Sequence, residues 1–225
     1  MTYFVIIPAA GISQRMQADR PKQYLLCDGE PLLARVIDTF VAHPSIEKVV
    51  VVLNKDDRWW ESLIALRSMR GTDHLRKVLT TTGGKARADS VLAGLHFLAD
   101  FARENDWVMV HDAARPFLTT ADISRFIDAL GDHPVGGLFG LPVVDTLKKV
   151  DANNDVEKTM SREHVWQAQT PQCFRYGTLK KAIETALANH KIVTDESSAI
   201  EILGLKPTMI LGNVRNKKIT FPEDI

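Results

Sequence analysis

Short apolar runs alternate with segments of helical spacing along this chain, and that alternation constrains its fold more than any other feature. The apolar runs are bounded by turn residues and predict strands at 3–7, 49–53, 78–82, 107–110, 135–141 and 209–211. Apolar residues recur three and four positions apart around 32–40, 91–98 and 123–130. Strands that alternate with helices form a mostly parallel sheet with helices on both faces. The sequence therefore predicts an α/β fold.

The carboxyl ends of the predicted strands are the expected place for a ligand. Open α/β sheets bind ligands in the crevice at that edge. The loops that follow Ile7, Thr82 and Val110 are therefore the candidate binding loops. A chain of 225 residues can enclose one core, and no repeat or low-complexity tract divides it. We treat residues 1–225 as a single domain.

Charge and composition exclude several classes of protein. Lys+Arg and Asp+Glu both number 28, so the formal net charge is zero and a basic coat for nucleic acid is not indicated. No run reaches the ~18 apolar residues that a membrane span needs, and no secretion signal is visible. A cytoplasmic location is expected. Cys27 and Cys173 fit neither a disulfide framework nor a metal-ligand spacing, so we expect two reduced thiols.

The segment 143–169 interrupts the alternation of strands and helices. Two alternating stretches flank a polar turn at 151–155, which predicts a β-hairpin that projects from the sheet. A two-stranded hairpin cannot bury an apolar face by itself. We expect this arm to pack against a second subunit and form a homodimer. The alternative is a hairpin folded back on its own domain.

The loop from Pro8 to Lys22 is the first candidate site. It follows a predicted strand and contains the small residues Ala9, Ala10 and Gly11, which allow backbone N–H groups to approach an anion. The cations of Arg15 and Lys22 follow. A backbone cradle with nearby Arg and Lys suits a polyphosphate. The motif is neither a P-loop nor a dinucleotide fingerprint. A structural turn with solvated charges remains the alternative.

The loop 81–91, with the sequence TTGGKARADSV, is the second candidate site. Gly83 and Gly84 follow a strand and lead into a helix, Arg87 adds a positive charge, and Ser90 offers a hydroxyl to a ligand oxygen. The alternative is a helix-entry turn in which the glycines provide only flexibility.

The loop after the strand at 107–110 is the third candidate site. It presents His111, Asp112 and Arg115 at the carboxyl end of the strand. A carboxylate beside a triphosphate most naturally holds Mg²⁺. We interpret His111 as a polar structural residue. Loops bearing glycines and cations, with one carboxylate among them, suit phosphoryl or nucleotidyl transfer.

Two later segments carry polar side chains. In TDESSA, Thr194 or Asp195 is a candidate cap for the helix that follows, and that structural role is the alternative to ligand binding. In NKKIT, Lys217 and Lys218 are either solvated or reach a substrate phosphate.

The motifs PAAG, PKQY, GGKARADSV, VHDAARP, TPQ, TDESSA and NKKIT, in this order, resemble those of the 2-C-methyl-D-erythritol 4-phosphate cytidylyltransferases. The resemblance covers 7–224. VHDAARP together with TDESSA favours this family over the related enzymes that make CDP-ribitol. The resemblance implies a Rossmann-like, nucleotidyltransferase-like domain with a protruding β-arm and a homodimer that interlocks through the arms. It also implies Mg²⁺ and transfer of CMP from CTP to methylerythritol phosphate, with release of pyrophosphate, in the non-mevalonate isoprenoid pathway.

The resemblance also assigns roles to individual positions. Arg15 and Lys22 would stabilise the transition state, and Asp112 would bind Mg²⁺. Arg162 and Thr146 on the arm would reach the methylerythritol phosphate of the neighbouring subunit, and Lys218 would position that substrate. The remaining substrate-binding positions would be Ala9, Ala10, Gly11, Gly83, Gly84, Arg87, Ser90, Ala113 and Thr194.

Three positions depart from the family pattern, namely Ser13, Lys85 and Arg215. The last two change the local charge. Three alternative functions remain open at this point. They are a related transferase with another polyol or sugar phosphate, a nucleotide-binding regulator without catalysis, and a dehydrogenase, which the missing glycine fingerprint disfavours.

Overall fold

A computed structural model describes residues 2–11, 20–68 and 76–225. The strands are β1 (Tyr3–Pro8), β2 (Leu26–Cys27), β3 (Glu30–Pro31), β4 (Ile46–Leu53), β5 (Val78–Thr82), β6 (Trp107–Val110), β7 (Gly136–Pro142), β8 (Leu147–Val150), β9 (Val156–Met160), β10 (Trp166–Arg175) and β11 (Thr208–Leu211). The α-helices are α1 (Leu32–Val41), α2 (Trp60–Ser68), α3 (Arg87–Phe97), α4 (Thr120–Leu130), α5 (Tyr176–Ala188) and α6 (Glu196–Ile202). Short 3₁₀ turns lie at Lys22–Tyr24, Leu98–Asp100 and Pro222–Asp224.

The central sheet has seven strands within the described residues, in the order β11-β7-β10-β6-β1-β4-β5. Strand β10 runs antiparallel to its neighbours β6 and β7, and the other neighbouring pairs are parallel. The predicted mostly parallel α/β fold is therefore confirmed. The carboxyl ends of β1, β5 and β6 lie at one edge, because these strands belong to the parallel part of the sheet.

Strand β1 shows how the sheet is buried on both faces. Successive side chains of a strand point to opposite faces. Val5 packs in one apolar core with residues of α1 and α4, such as Ile37 and Phe126. Ile6 packs in the other core with residues of α3 and α5, such as Leu95. Helices thus cover both faces, as the continuous apolar run of this strand predicts.

Most predicted elements are present with small shifts at their ends. The predicted strands at 78–82 and 107–110 match β5 and β6, and the helical repeats at 32–40, 91–98 and 123–130 correspond to α1, α3 and α4. Helices α2 and α5 were not predicted. In the described chain no helix is long and apolar enough to cross a membrane. Cys27 and Cys173 are both buried and not paired with each other.

The predicted arm is a hairpin of β8 and β9. Its predicted range of 143–169 is too long at the carboxyl end, because residues 166–169 already belong to β10 and 166–168 pair with β7. The apolar side chains of Val150, Val156 and Met160 on the hairpin are exposed. Every residue of β9 is exposed, so the hairpin does not fold back on its own domain.

Candidate active site

A basic cleft opens at the carboxyl edge of the sheet, where the three candidate loops converge. Its described lining includes the loop after β1, the start of α3, the loop after β6 and a residue near the carboxyl terminus. The predicted residues that line it are Ala9, Ala10, Gly11, Lys22, Gly84, Arg87, Ser90, Asp112, Ala113 and Lys218. The candidate loops therefore meet in one cleft at the edge of the sheet where the strand-end rule places a ligand.

The loop after β1 is held by two amide side chains that sequence reasoning missed. Gln23 donates from Nε2 to the carbonyl oxygens of Ala9 at 2.6 Å and Gly11 at 3.3 Å. Asn54 donates from Nδ2 to the carbonyl oxygen of Ala10 at 3.0 Å. The C=O and N–H of adjoining residues point in opposite directions across a trans peptide. These bonds therefore turn the backbone N–H groups of Ala10 and Gly11 away from the side chains of Gln23 and Asn54.

Lys22 connects this loop to the far end of the chain. Its ammonium donates to the carbonyl oxygen of Ile219 at 2.7 Å. The backbone N–H of Ile219 in turn donates to the carbonyl oxygen of Ala114, in the loop after β6, at 2.8 Å. Three segments distant in sequence are thereby joined beside the cleft. Arg15 and Ser13 lie outside the described residues.

Gly83 brings two loops close together without lining the cleft itself. A Cβ atom at this position would lie 2.7 Å from both the Cβ of Ala10 and the Oγ of Ser90. The hydroxyl of Ser90 donates to the carbonyl oxygen of Ala86 at 3.1 Å, within the first turn of α3. Lys85, one of the positions that depart from the family pattern, also lines the cleft and adds a positive charge to it.

Asp112 is a carboxylate in the lining of the cleft, and three cations lie beside it. Arg87 donates to its Oδ1 from Nη2 at 3.1 Å and from Nε at 3.3 Å. Lys218 lies 2.8 Å from Oδ2, and Arg115 lies 3.8 Å from the same oxygen. Burial raises the pKa of Asp112, but the charges of Arg87 and Lys218 outweigh that effect and hold the pKa well below its usual range. Asp112 is therefore ionised at neutral pH.

Glu196 is a buried carboxylate that sequence reasoning did not single out. It is 1% exposed and accepts two hydrogen bonds from the guanidinium of Arg87. Burial lowers the pKa of Arg87, but the negative charges of Glu196 and Asp112 outweigh that effect. The net pKa is raised above its usual range, so the guanidinium stays charged. Glu196 is the second of two acidic residues in TDESSA, but its partner Arg87 lies 109 residues away.

His111 lies beneath the loop after β6 and is fully buried. Its Nε2 lies 3.1 Å from the carbonyl oxygen of Arg115, which can only accept a hydrogen bond, so Nε2 carries the proton. Nδ1 then accepts from the hydroxyl of Thr170 at 3.0 Å. Burial lowers the pKa of His111 to about 4, so the ring is neutral near pH 7. These contacts support the predicted structural role.

Besides Gly83, three further predicted site positions lie outside the cleft lining, namely Thr146, Arg162 and Thr194. Thr146 and Arg162 are exposed on the arm, where Arg162 contacts the carbonyl oxygen of Val144. Thr194 is exposed beside Asp195, which caps α6 by accepting from the N–H of Ser198 at 3.0 Å. The alternative predicted for this motif, a helix cap, is therefore present, and Asp195 provides it.

The described residues contain no group of three or more His, Cys, Asp or Glu side chains that could hold a metal ion. A lone carboxylate still suits Mg²⁺, which commonly binds one or two carboxylates together with substrate phosphates and water. The two carboxylate oxygens offer about four acceptor positions. The donor observed at Oδ2 is Lys218, so Asp112 keeps acceptor capacity at that oxygen.

The mostly parallel sheet and its basic, glycine-bearing cleft define an α/β protein of the nucleotidyltransferase type. The chain matches the family of 2-C-methyl-D-erythritol 4-phosphate cytidylyltransferase (IspD) over residues 3–225. The chain belongs to this family, and it is a nucleotidyltransferase.

Individual relatives agree with this assignment over nearly the whole chain. The 2-C-methyl-D-erythritol 4-phosphate cytidylyltransferase of Pseudomonas putida (strain W619) is 46% identical over 99% of this chain and 92% of that protein. The enzyme of the same name from Vibrio parahaemolyticus is 44% identical over 100% of this chain and 92% of that protein. The crystal structure of the Francisella tularensis enzyme is 33% identical, covers 100% of this chain and 96% of its own, and has a TM-score of 0.81.

Proposed function

We propose that this chain transfers the CMP group of CTP to 2-C-methyl-D-erythritol 4-phosphate, giving CDP-methylerythritol and pyrophosphate, in the non-mevalonate pathway to isoprenoid precursors. The observation that carries the proposal is the convergence of Lys22, Arg87 and Lys218 on one cleft with the ionised Asp112. The cleft suits a polyanion. Family membership supplies the identity of the two substrates.

The reaction is an in-line displacement at the α-phosphorus of CTP. An oxygen of the methylerythritol phosphate forms the new P–O bond, and the bond between the α-phosphorus and the bridging oxygen of pyrophosphate breaks. The attacking phosphate is already an anion at neutral pH, so the step requires no general base. His111 is neutral and engaged on both ring nitrogens, in keeping with such a mechanism.

The main task of the protein is to bring two anions together in the correct orientation. The ammonium of Lys22 offsets negative charge on the phosphates, and Arg15 has the same role by family resemblance. Lys218 positions the methylerythritol phosphate. The backbone of Ala9, Ala10 and Gly11, with the start of α3, holds CTP beside them.

Mg²⁺ is the proposed cofactor, and Asp112 is the residue that would hold it. When bound, the ion neutralises charge on the phosphates of CTP. The ionised state of Asp112 and its free acceptor capacity support this assignment. Its neighbours Arg87 and Lys218 keep the carboxylate in place.

We propose a homodimer, which the exposed arm supports, and a cytoplasmic location. Val150, Val156 and Met160 are exposed on the hairpin, and a two-stranded hairpin needs a further surface to be stable. A second subunit provides that surface. Arg162 and Thr146 then reach the methylerythritol phosphate bound by the neighbour. No nucleic acid or membrane partner is proposed.

A pyrophosphate-release assay with CTP, Mg²⁺ and methylerythritol phosphate tests the proposal. Parallel reactions contain ribitol 5-phosphate or erythritol 4-phosphate in place of the methylated substrate. We expect the highest kcat/KM with methylerythritol phosphate. A higher value with another polyol phosphate would assign a different transferase activity. CTP binding by calorimetry without turnover on any of them would indicate a nucleotide-binding regulator.

A further inference from the structure

Arg87 lies between two buried carboxylates and donates to both. Its Nη1 is 2.5 Å from Oε1 of Glu196, and its Nη2 is 3.1 Å from Oε2. The same guanidinium donates to Oδ1 of Asp112 from Nε and Nη2. Its planar fork of donors is therefore oriented from two sides, with Asp112 facing the cleft and Glu196 behind it.

The charge of Glu196 is not required to cap α6. Asp195 already caps this helix and forms a reciprocal pair of hydrogen bonds with Ser198. A buried ion pair is also weak evidence for stability, because desolvation of the charges opposes their attraction. A role in the cleft explains better why a carboxylate stands at this buried position.

The local charge balance depends on Glu196. Asp112 faces the three cations Arg87, Arg115 and Lys218, and Glu196, paired with Arg87, is the second carboxylate of this cluster. Burial raises the pKa of Glu196, and the charge of Arg87 opposes that rise and favours the ionised form. Without Glu196, the whole charge of Arg87 would act on Asp112. The carboxylate would then be a weaker ligand for a divalent cation, whereas the cleft as a whole would be more attractive to CTP alone.

We propose that Glu196 is a positioning residue that acts through Arg87. It holds the guanidinium in place against Asp112 and offsets its charge, so that Asp112 remains available to the cation that accompanies CTP. This inference rests on the proposed function, since it assumes that CTP and Mg²⁺ bind in the cleft.

The test compares Glu196→Gln with a matched control, Glu201→Gln, on the same helix. Glu201 is exposed and accepts a hydrogen bond from the hydroxyl of Ser197 at 2.8 Å. Calorimetry measures CTP affinity with and without Mg²⁺ for each protein. Mg²⁺ should strengthen CTP binding to the wild type and the control. The Glu196→Gln variant should bind metal-free CTP as tightly as the wild type or more tightly. The factor by which Mg²⁺ strengthens its CTP binding should be about 10- to 100-fold smaller than in the wild type.

Turnover provides a second readout. Glu196→Gln should lower kcat by about 10- to 100-fold, and adding it to Arg87→Met should cause no further loss, because both changes remove the same interaction. If Glu196→Gln fails to fold, the pair replacement Arg87→Met with Glu196→Met removes both charges together. The folded double variant should then show the same gain from Mg²⁺ as Arg87→Met alone, because Glu196 acts only through Arg87.

Three results would overturn the inference. They are a wild-type CTP affinity that does not respond to Mg²⁺, a Glu196→Gln variant that retains the full gain, and a loss of kcat that adds in full to that of Arg87→Met. The binding measurements do not involve the second substrate. A wild type that binds CTP with Mg²⁺ but does not turn over methylerythritol phosphate would therefore contradict the proposed function and leave the role of Glu196 measurable.

Discussion

The ammonium of Lys22 lies 2.7 Å from the carbonyl oxygen of Ile219, a residue 197 positions further along the chain. This bond brings the PKQ motif to the same cleft as Lys218, which immediately precedes Ile219. The lysine that is proposed to act on the phosphates of CTP therefore neighbours the lysine proposed to position the second substrate.

Replacing Lys22 with alanine should lower kcat by about a hundredfold or more, because removal of a group that stabilises transition-state charge costs ~2.7–4 kcal/mol. Steady-state pyrophosphate release measures the effect. Lys181→Ala on the exposed face of α5 is the control and should retain normal turnover. A folded Lys22→Ala protein with near-wild-type kcat would contradict the role of Lys22.

Replacing Arg162 with alanine should raise KM for methylerythritol phosphate much more than KM for CTP. Arg162 is exposed on the arm and lies outside the lining of its own cleft, so its proposed target is the neighbouring subunit. Lys158→Ala, on exposed strand β9 of the same arm, is the matched control. Equal changes in both KM values would count against a role specific to the second substrate.

Heterodimers extend this test to the sharing of sites between chains. Differently tagged Arg162→Ala and Lys22→Ala chains are mixed and the heterodimer is purified. One of its two sites should then combine the intact Lys22 of one chain with the intact Arg162 of the other. A fraction of activity should return. Verified heterodimers without activity would indicate that each site is built from a single chain.

Substitution of Gly83 with alanine should reduce kcat/KM for CTP by about 10- to 100-fold, since small misplacements of a binding loop are costly. The added methyl group would press on Ala10 and on Ser90, both of which line the cleft. CTP saturation curves and thermal unfolding measure catalysis and folding separately. Thr82→Ala, at the neighbouring exposed position, is the control. An unchanged kcat/KM for CTP would show that a wider spacing between Ala10 and Ser90 does not impair the site.

His111 should make folding stability depend on pH. The pKa of His111 is lowered from 6.5 to about 4, primarily by burial. Between these values the unfolded chain binds a proton that the folded chain does not, so the stabilising contribution is present above pH 6.5 and is lost as pH falls towards 4. The wild type should lose roughly 2 kcal/mol more than His111→Gln between about pH 7.5 and pH 5.

Urea unfolding at the two pH values measures this difference, and the comparison with His111→Gln cancels the titration of groups common to both proteins. The ring donates to the carbonyl oxygen of Arg115 and accepts from the hydroxyl of Thr170, and a glutamine amide offers one group of each kind without titrating. Parallel pH profiles for the two proteins would contradict the lowered pKa of His111.

The sequence was sufficient to predict the parallel core of the fold, because its strands and helices carry strong local patterns. Strand β10 was harder, since Pro171 interrupts the run and Gln172 is a buried polar residue. Helix α5 presents Ala182 and Ala186 among its buried positions, which weakens the apolar repeat. Tertiary contacts rather than local pattern determine such elements.

The cleft was predictable to a similar extent. Motifs after predicted strands pointed to Lys22 and Asp112, and the family resemblance added Lys218. All three line the same cleft. The supporting side chains Gln23 and Glu196 were missed, because their roles arise from contacts with residues distant in sequence. Family resemblance supplied the positions on the arm, whose relation to a second subunit remains a prediction.

The continuity of strand β10 limits where the length of the arm can be changed. The strand begins at the base of the hairpin and continues without a linker into the centre of the sheet, where its residue Gln172 donates to Asp195 at the start of α6. An insertion near Trp166 would shift the register of every side chain that follows. The turn at 151–155 is exposed and outside the central sheet, so changes of length are best confined to that tip.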